Sequence, residues 1–200
     1  MLPFSYSRNG SSLRGFTLVE LLIVIAILAV LSAAVVVVLN PGELLAQARD
    51  SQRLNDLDAI KSALSIYVAQ VNPIALGSCP GGGRCTYDPG AGSGPFLTTT
   101  CTFNASTNNV TGTGWVDVDF SDIPGGSPIP FLPNDPTDSA TYFYGYACDT
   151  TYKTFKLVGR LESVKHRDKM KTDGGSRSAC TSYTGNDCFY EIGTDPGLDL

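Results

Sequence analysis

Histidine is all but missing from these 200 residues: His166 is the only one. Imidazole-based triads and metal centres built from several imidazoles therefore lack their material. No CxxC or CxxH pair occurs, so the usual spacing of a structural zinc site is absent too. No acidic residue precedes Glu20, and no cysteine precedes Cys79. Nor does any nucleophile–base pair have supporting spacing, and nothing in the pattern points to an enzyme.

What charge there is falls unevenly. Arg8 and Arg14 make residues 1–15 basic. Residues 16–71 carry Arg49, Arg53 and Lys61 against Glu20, Glu43, Asp50, Asp56 and Asp58, and the net formal charge of the whole is −5. An acidic body argues against bulk nucleic-acid binding. The six cysteines, Cys79, Cys85, Cys101, Cys148, Cys180 and Cys188, all lie in a Gly/Pro-rich region beyond residue 72. That pattern reads as disulfides in an oxidising compartment. Sequence alone does not resolve the pairing; proximity favours Cys79–Cys85 and Cys180–Cys188, leaving Cys101–Cys148.

From Phe16 to Leu39 run 24 residues with one charge, Glu20. About 20 helical residues cross a hydrocarbon core, and the basic flank places the chain beyond the run outside the cytoplasm. Pro41 and Gly42 then interrupt, predicting a kink or locally melted turn. Helical periodicity resumes with Leu57, Ile60, Leu64, Tyr67, Val68 and Val71 on one stripe. Arg49, Asp50, Arg53, Asp56, Asp58 and Lys61 fall mainly off it, and Asn72-Pro73 stops the helix. Cys79 to about Pro136 reads as loop, apart from a short strand over Trp115–Phe120 with Val116, Val118 and Phe120 on one face. Further strands are predicted at Thr141–Ala147, Tyr152–Leu161 and Cys188–Ile192. They form a small antiparallel sheet that buries one face against the amphipathic half of the helix.

Three readings compete for residues 1–40. A secretory signal needs an apolar core of about 7–15 residues and a cleavage site beyond it; here the run is longer, and Ser32-Ala33-Ala34 leads into more apolar chain. A plain signal anchor fits the length but gives Glu20 no purpose. The third rests on Gly15-Phe16-Thr17-Leu18-Val19-Glu20, preceded by a short basic leader and followed by apolar residues. This stretch resembles the processing site of type IV pilins and of type II secretion pseudopilins. The resemblance implies that Gly15 ends a leader removed by the prepilin peptidase, that Phe16 becomes an N-methylated N-terminus, and that Glu20 is the assembly carboxylate. A membrane-buried charge costs roughly 2.5–3.5 kcal/mol on insertion scales and so needs a partner. The Phe16 amine of a neighbouring subunit would supply one. One departure is visible: many members carry a proline near the middle of this segment, where this chain has Val37 and its neighbours, so helix melting should fall later, at Pro41-Gly42.

The expected fold is α+β and type IV pilin-like. Residues 1–15 are a removed leader; 16–71 form a long helix with membrane segment 16–39; 72–200 form an extracytoplasmic head closed by disulfides. The expected role is a structural subunit of a type IV pilus, not an enzyme, with no cofactor. Its partners would be copies of itself, minor pilins, the prepilin peptidase and the inner-membrane assembly platform. It would sit in the inner membrane as precursor and in the extracellular pilus afterwards. A type II secretion pseudopilin and a membrane-anchored binding module are the alternatives.

Other stretches carry weaker signals. Lys165–Lys171 is the one basic cluster, able to hold nucleic-acid phosphates but more ordinarily a solvated loop, with His166 exposed. Asp187, Glu191, Asp195 and Asp199 offer oxygen ligands in a spacing that matches no EF-hand; turn-forming acids are the simpler reading. Asn104-Ala105-Ser106 and Asn109-Val110-Thr111 are glycosylation sequons. Tyr142, Phe143, Tyr144 and Tyr146 should split between a core face and a face open to sugars or neighbouring subunits.

Overall fold

The computed structural model describes residues 15–78, 83–87, 95–96, 101–103 and 108–200. The chain divides into two compact units, Met1–Pro41 and Gly42–Leu200. In the first, helix α1 spans Leu18–Leu39. Leucine, isoleucine, valine and alanine fill it on every side, and at about 1.5 Å per residue it is long enough for a hydrocarbon core. Its C-cap, Asn40, has φ 42° and ψ 74°, the left-handed conformation that asparagine tolerates better than most residues. Helix α2, Pro41–Gln70, starts at the next residue. The interruption therefore falls at Asn40. Pro41 opens α2, where a missing N–H costs nothing, and Gly42 is already helical.

In the second unit α2 packs on a five-stranded sheet of order β2-β1-β3-β4-β5. The strands are β1 (Gly83–Cys85), β2 (Cys101–Phe103), β3 (Gly145–Asp149), β4 (Thr154–Gly159) and β5 (Tyr190–Gly193). β1, β3, β4 and β5 pair antiparallel as expected, whereas the edge pair β1/β2 is parallel. Both β1 and β2 lie in chain expected to be loop. Three-residue strands show no periodicity, and here the Cys85–Cys101 disulfide joins them.

The α2 stripe is buried through Leu57, Ile60, Ala63, Leu64 and Tyr67 against Tyr144, Tyr146, Phe155 and Leu157. Trp115, Val116, Val118 and Phe120 belong to the same core but form no strand. Their backbone touches the rest of the fold through an isolated bridge, Thr111 to Asp119, so a loop supplies the side chains that alternation had suggested for a sheet. The opposite sheet face is also covered. Cys85, Phe96, Phe143, Ala147, Val158 and Phe189 make a second apolar cluster there. The expectation of a sheet with one buried face is thus corrected. So is that of an aromatic face open to sugars, since Phe143, Tyr144 and Tyr146 are all buried and Tyr142 lies under the Arg53 guanidinium, 4.8 Å from its ring centre.

Asp50 and Arg53, placed off the apolar stripe by periodicity, have no solvent exposure. Arg53 donates to Asp50, Asp135 and Glu162. Asp50 in turn accepts from the backbone N–H groups of Glu162 and Ser163 at 3.0 and 2.8 Å. Burial opposes ionisation of Glu162, but hydrogen bonds from Arg49 and Arg53 outweigh it and hold its carboxyl below the usual range.

Candidate assembly site

Gly15, Phe16 and Thr17 precede α1 in non-helical backbone, and all three are exposed. A Cβ added at Gly15 would meet nothing among the described residues. Contacts among the described residues therefore do not demand glycine at this position. Phe16 is 85% exposed, with no described residue covering its ring.

Thr17 and Glu20 form a reciprocal cap on α1. The Glu20 N–H donates to Thr17 Oγ1 at 3.2 Å, and the Thr17 N–H donates to Glu20 Oε2 at 3.3 Å. Each satisfies a backbone donor that the first turn would otherwise leave open. Thr-x-x-Glu before an apolar run is a signature readable in sequence, yet the sequence reading assigned Thr17 no part. Behind this cap, Leu18–Val36 is strongly apolar and none of it is buried. By length and composition this stretch can cross a membrane.

The other sequence candidates disperse. Cys180–Cys188 forms as expected. Cys85 pairs with Cys101 across the edge of the sheet, which overturns the proximity pairing of Cys85 with Cys79 and of Cys101 with Cys148. Nearness in sequence yielded to strand pairing, which sets the two Cα atoms 5.7 Å apart. Cys148 is disulfide-bonded as well, and Cys79 lies outside the described residues.

The acids near the C-terminus act separately. Asp187 accepts from Thr181; Asp195 accepts from Thr154 and from the Asp199 N–H. Glu191 is fully buried and paired with Lys156 at 2.5 Å. Burial pushes the Lys156 ammonium down and the Glu191 carboxyl up, and their contact only partly restores the charged forms. The basic run turns through a short 3₁₀ helix, Arg167–Lys171, whose Met170 is buried. Lys171 binds Asp168, and Arg167 lies over the Tyr183 ring. His166 is half-buried rather than exposed. Arg160, which carried no expectation, holds the Cys180–Cys188 loop. It donates to the Cys188, Thr141 and Gly185 carbonyls, and burial lowers it to about 10.

Residues 11–36 match the prokaryotic N-terminal methylation motif, the prepilin signal of type IV pilins and pseudopilins. The match supports a place among type IV pilin-like or pseudopilin proteins and, with α1, insertion into a membrane. No curated protein and no solved structure matches the chain.

Proposed function

We propose that this chain is the structural subunit of a type IV pilus. It is made as an inner-membrane precursor, cut between Gly15 and Phe16 by a prepilin peptidase and methylated on the new Phe16 amine. It then joins other copies and minor pilins at a membrane assembly platform. The observation that carries this reading is the methylation motif set directly on a helix with no buried residue in Leu18–Val36. Such a surface has two ways to leave water, in lipid or against other helices like itself. A filament core supplies the second, and moving between them costs little because lipid tails and neighbouring helices are similarly apolar.

Glu20 gives the packing its register. Its carboxylate pairs with the Phe16 amine of the adjacent subunit, neutralising two charges in an apolar bundle and setting the axial step between subunits. The head, residues 72–200, forms the outer surface.

Terminal sequencing with intact mass of the protein from its native cells tests this. N-methylated Phe16 at the start supports it. A start at Met1 leaves a signal anchor, and a start after Ala33 or Ala34 leaves a secreted domain; either rejects the filament. Electron microscopy then separates a pilus, seen as long extracellular fibres, from the short filament of a secretion pseudopilin.

A further inference from the structure

Among the sequence motifs that filament assembly does not use, Asn109-Val110-Thr111 has a geometry that asks for explanation. Its backbone is tied down on both sides. The Asn108 carbonyl accepts from the Leu132 N–H and the Val110 carbonyl from the Phe120 N–H, each at 2.8 Å. Val110 packs partly against the core, while Asn109 and Thr111 stand exposed on either side of it. Gly112 follows with φ +77°, turning the chain away. The two outward side chains are joined: Asn109 Oδ1 accepts from the Thr111 N–H at 2.9 Å and from the Thr111 hydroxyl at 2.7 Å.

Both bonds fall on the amide oxygen. An aspartate at 109 would accept them at least as well, because a carboxylate is the stronger acceptor. Asparagine differs from aspartate by its amide nitrogen, and Asn109 Nδ2 donates to no described residue. Among the described residues the fold therefore uses the half of the side chain that the two residues share and makes no use of the half that only asparagine has, on a residue that is itself exposed.

We propose that Asn109 is an N-glycosylation acceptor, used by a glycosyltransferase on the extracytoplasmic face with a lipid-linked glycosyl diphosphate as donor. In the transfer, the bond between Asn109 Nδ2 and the sugar C1 forms as the C1–O bond to the diphosphate breaks. The lipid diphosphate leaves with the electron pair, and the amide proton passes to a base on the transferase. Two donors on Oδ1 draw electron density from the amide and make that N–H easier to deprotonate. A glycan here adds bulk only on the solvent side, since the anchored backbone and Val110 face the protein. Asn104 lies outside the described residues.

The proposal rests on the reading that the head leaves the cytoplasm, so the test reads both. Protein from native cells is digested, and the peptides holding Asn109 and the N-terminus are mapped by mass spectrometry. A glycan mass on Asn109 is expected, lost in Asn109→Asp and Thr111→Ala and kept in Thr111→Ser. Asn109→Asp preserves the turn, so its loss of mass cannot be misfolding. N-methylated Phe16 with bare Asn109 overturns the glycan alone. A glycan with a Met1 start upholds the acceptor and rejects the filament; a Met1 start with bare Asn109 rejects both. A sugar on serine or threonine that survives Asn109→Asp, with Asn109 itself bare, also overturns the proposal.

Discussion

Arg53 of α2 grips Asp135 with two parallel hydrogen bonds, Nε to Oδ2 at 2.7 Å and Nη2 to Oδ1 at 2.9 Å, and neither side chain meets solvent. The two residues are 82 positions apart. The fork of the guanidinium matches the carboxylate, and its remaining donors reach Asp50, Glu162 and Thr137. One cation thus fastens α2 to the turn around Asp135 and to the chain leaving β4.

Removing that cation should be costly. Buried acids left without their partner typically cost about 3–5 kcal/mol, and Arg53→Ala strands Asp50 and Asp135 together. Arg53→Lys should recover only part of the loss, because an ammonium cannot reproduce the two parallel bonds. Trp115, the sole tryptophan and 1% exposed, reports unfolding by fluorescence in urea titrations of the detergent-solubilised protein. Variants within about 1 kcal/mol of the parent would show that the network adds nothing net.

The same network makes stability depend on acid. Glu162 is held below its ordinary value of 4.5 in the folded chain, so the unfolded chain takes up this proton first. Its contribution is complete above 4.5 and lost as pH falls through the folded value. Between about pH 6 and about pH 3 the parent should therefore lose more stability than Glu162→Gln does. Equal slopes for the two would remove Glu162 from the acid response.

Thr17 and Glu20 separate two uses of one carboxylate. Glutamine at Glu20 keeps the reciprocal cap but loses the charge; Thr17→Ala keeps the charge and loses the cap. If Glu20 pairs with a neighbouring Phe16 amine, Glu20→Gln should be processed normally yet be excluded from filaments when it is the only subunit. Thr17→Ala should assemble, losing about 1 kcal/mol of helix stability. Sheared-filament yield and N-terminal sequencing read the two steps apart. The reverse outcome would make the cap, not the charge, the assembly determinant.

The disulfides differ in what they close. Cys85–Cys101 spans 16 positions and Cys180–Cys188 spans 8, so chain entropy assigns about 3 and about 2.5 kcal/mol to them. Paired Cys85→Ala and Cys101→Ala substitutions should cost the larger amount and free the parallel edge of the sheet. Paired changes at Cys180 and Cys188 should cost less, because Arg160 already holds that loop by two carbonyls, those of Gly185 and Cys188. Urea midpoints of the two double variants compare them directly.

Local chemistry was written plainly in the chain. An unbroken apolar run needs nothing distant to make it a membrane-length helix, and proline after asparagine ends one helix and begins another by steric rule. The stripe Leu57, Ile60, Leu64 and Tyr67 announced which side of α2 would be covered, and the Thr17–Glu20 cap was equally legible three residues apart. What lay beyond reading was whatever joined remote positions. Arg53 looked like a solvated charge because two of its three acids, Asp135 and Glu162, come from far along the chain. Cys85 chose Cys101 over nearer Cys79 because a parallel strand pairing set the distance. Trp115 to Phe120 alternated like a strand but entered the core as loop, since cores select side-chain volume and not hydrogen-bond ladders. Periodicity reports which face of an element is apolar; only the assembled fold decides which charges it can afford to bury, because only there do their partners meet.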